Sequence, residues 1–131
     1  MRKQMKDLKV KTSYFTENQP IKIWGESGPE WGGKLVATHH FYPGMDLTPF
    51  LHGFPDGLCP IPHWGYVFKG KMYGRYKDGT VEVYQEGDVF YMPPGHTLWT
   101  DKNAEEACEI IQFSEGGEFK AGEELVAETN K

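Results

Sequence analysis

Five histidines, His39, His40, His52, His63 and His96, and two cysteines, Cys59 and Cys108, are the residues of this chain best suited to chemistry. Neutral imidazole nitrogen suits zinc, iron, copper, nickel and manganese, and a cysteine thiolate is a soft ligand that favours zinc, copper or iron. A lone histidine in a strand is more often a hydrogen-bonded structural residue, and free cysteine is commonly buried in cores, so residue type alone defines no site. His39 and His40 are adjacent, and adjacent strand residues point to opposite faces, so at most one of them can enter an interior. Cys108 opens a late apolar run and reads as core. Asp46 and Glu109 are possible carboxylate partners for histidines, but their turn and strand positions fit solvated residues. The chain has no paired carboxylates, no serine–histidine arrangement and no glycine-rich phosphate loop, so catalysis, if present, falls to a metal.

The elements that must position these groups are strands. Residues 35–42 form an apolar and β-branched run that stops at Pro43-Gly44, 66–76 is a long aromatic-rich run, and 80–85 alternates Val81 and Val83 with Glu82. Asp78-Gly79 between the last two supplies residues that tolerate positive φ, which predicts a two-residue hairpin and antiparallel pairing. Gly87-Asp88 turns into 89–92, with Asp88 expected to tighten the turn, Pro93-Pro94-Gly95 breaks the chain, and 97–100 and 108–113 supply two more strands. Residues 121–129 are expected to wind into a short helix, and the first dozen residues to form an arm or edge strand.

At 131 residues the chain is expected to fold as one domain, and its 16 glycines and 9 prolines favour many short strands over a helix bundle. A net charge of −5 argues against binding a phosphate backbone, so no nucleic-acid partner is expected. The basic start, Arg2, Lys3, Lys6, Lys9 and Lys11, is interrupted by Asp7 and leads into no apolar run, so no membrane partner is expected. With two cysteines and no CxxC spacing, a reducing, cytoplasmic setting is expected.

The stretch from Cys59 to His96 resembles the two-motif core of the cupins, small jelly-roll β-barrels built of antiparallel strands. Gly70 looks like the closing glycine of the first cupin motif; counting back puts His63 on the motif's glutamate, Cys59 on its second histidine and Gly57 on its first. Gly87-Asp88-Val89-Phe90-Tyr91-Met92-Pro93-Pro94-Gly95 matches the second motif without a gap. The motif's last histidine falls at Leu98, but His96, two residues earlier on the same face, can stand in for it. Cys59-Pro60-Ile61-Pro62-His63-Trp64-Gly65-Tyr66 with Pro93-Pro94-Gly95-His96 is similar to a subgroup of small bacterial single-domain cupins.

The resemblance implies an N-terminal arm with edge strands over 1–33, a barrel core over 34–114 and a tail over 115–131. It also implies one divalent transition metal ion per chain, manganese, iron, nickel or zinc, with His63 and His96 as the leading ligands. Cys59 and His52 are further candidates, and one of His39 and His40, with His40 the expected ligand of the two, competes with His52 for a third place. Trp64 and Tyr66 are expected nearest the pocket. The implied function is a metal-dependent enzyme, of oxygenase, isomerase or decarboxylase type, acting on a small oxygen-bearing organic molecule; the alternative is a non-catalytic metal- or ligand-binding module. A homodimer formed by edge pairing or arm exchange is expected.

Overall fold

Short alternating runs separated by glycine and proline turns leave the backbone few options other than antiparallel pairing. The computed structural model describes residues 1–11 and 22–131. Its strands are β1 (Lys9–Lys11), β2 (Lys22–Glu26), β3 (Lys34–Phe41), β4 (His63–Lys69), β5 (Lys71–Tyr76), β6 (Val81–Gln85), β7 (Val89–Met92), β8 (His96–Trp99) and β9 (Cys108–Glu115). A six-stranded sheet runs β1-β2-β3-β9-β4-β7 and a three-stranded sheet runs β6-β5-β8, with every pairing antiparallel. Leu35, Val67, Met92 and Ile110 from the larger sheet and Met72, Tyr84 and Leu98 from the smaller meet in one buried core. The chain therefore has the expected all-β architecture, with one C-terminal helix. Near the start of the chain β1 lies at the edge of the larger sheet and, among the described residues, pairs only with β2.

Three local features differ from the expectations. The aromatic run 66–76 is not continuous: Gly70, at φ 77, ends β4 and passes the chain to β5 in the other sheet. The hairpin between β5 and β6 holds three residues, since Tyr76 N–H donates to Thr80 C=O and Gly79 N–H to Tyr76 C=O. Only Gly79 takes positive φ, the pattern of a turn closed by a glycine bulge, while Asp78 uses its carboxylate to accept from Thr80 N–H. The helix α1 (Gly116–Thr129) starts earlier than expected, because the Glu115 side chain accepts from Glu118 N–H at 2.5 Å and caps it. Asp88 does tighten its turn, accepting from Gln85 N–H at 2.9 Å.

Phe119, Gly122 and Val126, spaced three and four apart, form the buried stripe of α1. Gly122 lets the helix sit close against Ile61, whose Cδ1 would have to move aside for a Cβ at this position. At the far end Asn130 Nδ2 donates to Phe50 C=O at 2.8 Å, tying the helix to the loop before β4. Among the described residues no helix is long and apolar enough to cross a membrane.

Gly70 and Gly79 both have positive φ, but a Cβ on Gly70 would lie 2.5 Å from Ala107 C=O whereas one on Gly79 would meet nothing within 4 Å. Gly70→Ala is therefore expected to cost about 3 kcal/mol, from backbone strain plus overpacking, and Gly79→Ala only about 1 kcal/mol. Urea unfolding of the two variants checks the difference; equal losses would show that contact with β9 does not constrain Gly70.

Candidate metal centre

The inner faces on which the two sheets meet give a few polar side chains an interior position, and these cluster. His63 opens β4 and is 6% exposed, and His96 opens β8, directly after the Pro93-Pro94-Gly95 turn, at 2% exposed. Cys59 precedes β4, and its backbone pairs with that of His96: Cys59 N–H donates to His96 C=O at 2.8 Å and His96 N–H to Cys59 C=O at 3.2 Å. Gly95 N–H also donates to Cys59 C=O, at 2.8 Å. One ligand atom from each of Cys59, His63 and His96 lies within 4.8 Å of the other two. The two imidazoles meet edge to face with centroids 5.1 Å apart.

The outer nitrogens of both rings are already used. His96 Nδ1 donates to Pro93 C=O at 2.8 Å, which fixes the tautomer of the neutral ring and leaves Nε2 with the lone pair. His63 Nδ1 shares a 2.6 Å hydrogen bond with Ser114 Oγ on β9. Such outer bonds are what orient histidines toward a metal. Burial lowers the pKa of both histidines, and for His63 the neighbouring His96 and His39 rings lower it further, so both are neutral and ready to coordinate. Burial pushes the Cys59 thiol up to about 11; a bound divalent ion would deprotonate it. A tetrahedral zinc with these donors sets ligand separations of roughly 3.3–3.8 Å, so the observed spacing closes on an ion with a small shift. The donor set thus fits a metal.

The cluster faces a cavity of about 70 Å³ lined mostly by apolar side chains, among them Phe41, Leu51, Phe54, Ile61, Leu98 and Phe119. His39 and Gln112 line it too. Of the adjacent pair it is His39, and not His40, that turns inward, which corrects the choice of His40. The sequence holds the signal: Leu35, Ala37, His39 and Phe41 share one parity on β3, and the apolar members mark the core face. His40 lies on the other face, where its Nδ1 pairs with Glu109 at 3.1 Å.

His52 is also away from the cluster. Leu51 takes the cavity-lining position after the turn Thr48–Phe50, and His52 is left on the surface with Nε2 3.2 Å from Asn130 Oδ1. Trp64 and Tyr66 alternate with His63 along β4 and so point outward, where Trp64 stacks on Tyr91 and Tyr66 meets Phe68 edge to face. Asp46 accepts from Thr48 N–H within its own turn, and Cys108 is core. Ser114, Gln112 and Phe119 were not anticipated as parts of the site; only the inward parity of 110, 112 and 114 on β9 points to the first two.

Residues 59–125, just over half the chain, match the sequence profile of the family described as Cupin, and the chain belongs to that family. No curated protein matches it. Among solved structures, a predicted oxalate decarboxylase from Thermotoga maritima is similar with a TM-score of 0.61, at 13% identity, covering 87% of this chain and 97% of that one. The polyketide cyclase RemF from Streptomyces resistomycificus is similar with a TM-score of 0.59, at 16% identity, covering 88% and 79%. A cupin-like protein from Thermotoga maritima gives 0.53, at 16% identity, covering 80% and 77%. Identities this low establish a shared fold alone.

The buried imidazoles set a pH dependence. Burial holds His39 down to about 3 from its ordinary 6.5, so between those values the unfolded chain binds a proton that the fold does not. Stability of the metal-free protein is therefore level above about pH 6.5 and falls as the pH drops below it, by at most about 1.4 kcal/mol per pH unit for each such histidine. Urea unfolding between about pH 7.5 and 5 should show this decline, with a shallower slope in His39→Leu; unchanged stability across that range would contradict it.

Proposed function

We propose that Cys59, His63 and His96 hold one divalent transition metal ion and that the protein is a metal-dependent cupin enzyme acting on a small oxygen-bearing organic molecule. The observation that carries this is the convergence of three neutral donors within 4.8 Å of one another beside a small apolar cavity. A bound ion would supply Lewis acidity and an open coordination position for a ligand oxygen. The thiol with two imidazoles favours zinc, iron or nickel over manganese. Ser114 and the Pro93 carbonyl orient the two rings, and the apolar wall with helix α1 over it limits water at the site. The named activities of the similar structures, a decarboxylase and a cyclase, are in keeping with small-molecule chemistry. The second reading, a non-catalytic binding module, draws on the cavity lining, which is mostly apolar and includes a single carboxylate, Glu123. A cytoplasmic location belongs to the proposal and is supported by two cysteines that are both free thiols.

Protein purified without a histidine tag is expected to carry close to one equivalent of metal per chain. His63→Ala and His96→Ala should each drop below about a tenth of an equivalent with the β-sheet circular dichroism intact, whereas His40→Ala and His52→Ala should keep the metal. Retention by both of the first two variants would remove the site. Oxygen uptake and product formation by the loaded protein, screened on small ketones, phenols and oxo-acids, distinguish enzyme from binder.

The protein is also proposed to be a homodimer, joined through a sheet face and not through an edge. Trp64, Tyr66 and Phe68 on β4, Val89 and Tyr91 on β7 and Phe113 on β9 lie side by side on the outer face, each between 38% and 81% exposed. Together they expose roughly 600 Å² of apolar side chain, at the upper end for a monomer and near the half-interface of a standard complex. An uncharged patch of this kind is self-complementary across a two-fold axis. Light scattering should give about twice the 15.0 kDa chain mass, and Tyr91→Glu with Val89→Lys should give the single-chain mass. A monomeric wild type would end the proposal.

A further inference from the structure

The polar side chains His39 and Gln112 both line the cavity, and one of them has a buried atom with no partner among the described residues. His39 Nε2 is buried without a hydrogen bond, the one such side-chain atom among the described residues. Gln112 is 3% exposed on the inner face of β9 and lines the same cavity. The register brings the two together: His39 sits opposite Ile110 and Ala37 opposite Gln112, so they are diagonal neighbours on β3 and β9. Gln112 is flanked across the sheet by Ala37 on one side and Gly65 on the other. Buried polar groups are almost always satisfied, and orphans are destabilising unless something else supplies the bond. Meanwhile no lysine or arginine lines the cavity, and its space holds on the order of five or six heavy atoms.

We propose that His39 and Gln112 are a ligand-orienting pair, and that the molecule they take is small, uncharged and largely hydrocarbon, with a carbonyl or hydroxyl oxygen. The proposal deepens the functional reading above and concerns the same cavity. An imidazole offers one donor or acceptor at Nε2, and an amide offers both, so together they bind either oxygen type. In the metal-free cavity a free carboxylate would meet no side-chain cation and would have only these hydrogen bonds to set against its lost hydration, whereas an uncharged oxygen is matched by these two groups.

Pentan-2-one and butanoate have the same shape and size and differ in charge, so they test the assignment directly. Metal-free protein with 15N-labelled histidine is titrated with each, reading the imidazole nitrogens by NMR. Pentan-2-one is expected to shift His39 Nε2 and to bind at least tenfold more tightly than butanoate. His39→Leu and Gln112→Leu should each weaken ketone binding about tenfold, and His39→Leu should melt no lower than the wild type at neutral pH, since it removes an unpaired buried polar atom. Equal or tighter butanoate binding, an unmoved His39 Nε2, or unchanged ketone affinity in both leucine variants would overturn the pair. If one variant fails to fold, the other and the wild-type nitrogen shift still decide. Adding zinc in the same experiment separates this proposal from the metal centre. Protein that takes no zinc but binds the ketone through His39 refutes the metal reading alone, and protein that takes zinc but leaves His39 unmoved by the ketone refutes this one. A His39 Nε2 displaced by zinc without ketone would make it a metal ligand and likewise overturn the assignment.

Discussion

The backbone pairing of Cys59 with His96 is the constraint around which the interior chemistry is arranged. His96 belongs to the three-stranded sheet and His63 to the six-stranded one, so their approach is a contact between sheets. Packing of the core sets the distance between those sheets, but it leaves the loop before β4 free to run anywhere over the opening. Three hydrogen bonds, Cys59 with His96 in both directions and Gly95 N–H to Cys59 C=O, fix that loop against the turn preceding β8. A thiol that sequence alone leaves in a loop is thereby held beside two imidazoles. The same turn provides the Pro93 carbonyl that fixes the His96 ring, so one short stretch of chain sets backbone register and side-chain tautomer together.

Holding these groups inside the protein has a thermodynamic consequence. Three neutral imidazoles and a protonated thiol are kept from water, and burial is the leading cause of every one of their pKa shifts. A core built only for stability would use leucine or phenylalanine at these positions, since apolar groups of similar shape replace polar ones at little or no loss. His63 and His96 are satisfied through their outer nitrogens, whereas His39 is not, and the difference separates groups with a place in the fold from a group waiting for something external. Proteins accept such local losses of stability where function requires them.

Much of this was legible in the sequence, and the reasons are specific. Valine-rich alternation and Asp-Gly or Pro-Pro-Gly turns have short-range physical causes, so β6, β7 and the breaks around them were readable to within a residue or two. His63 and His96 were placed on inward faces by motif spacing and strand parity. What was not legible depended on distant contacts. His52 is one of the competing candidates for a third ligand in the sequence, but the turn before it gives the cavity-lining position to Leu51. The β5–β6 loop gained a residue because the bulge glycine alone takes positive φ. The early start of α1 rests on a Glu115 cap, and its two opening glycines hide that start from propensity. His39 and His40 were separable in principle by the parity of Leu35, Ala37 and Phe41, a signal that asks only which face of β3 is apolar.

Parity also joins the two halves of the functional argument. Along β4 the inward residues are His63, Gly65 and Val67, and the outward ones Trp64, Tyr66 and Phe68. A period of two leaves no freedom to change one set without the other: a one-residue slip between Cys59 and Val67 would carry His63 to the outer face and bring Trp64 against His96. Gly65 guards against that slip. Its position leaves no space for a Cβ between Ile111 C=O and the Phe90 ring, so β4 has only one register in which a residue without a side chain meets that contact. The strand that carries an interior ligand residue thus also carries the outer aromatic face. One backbone contact, at a glycine, fixes both.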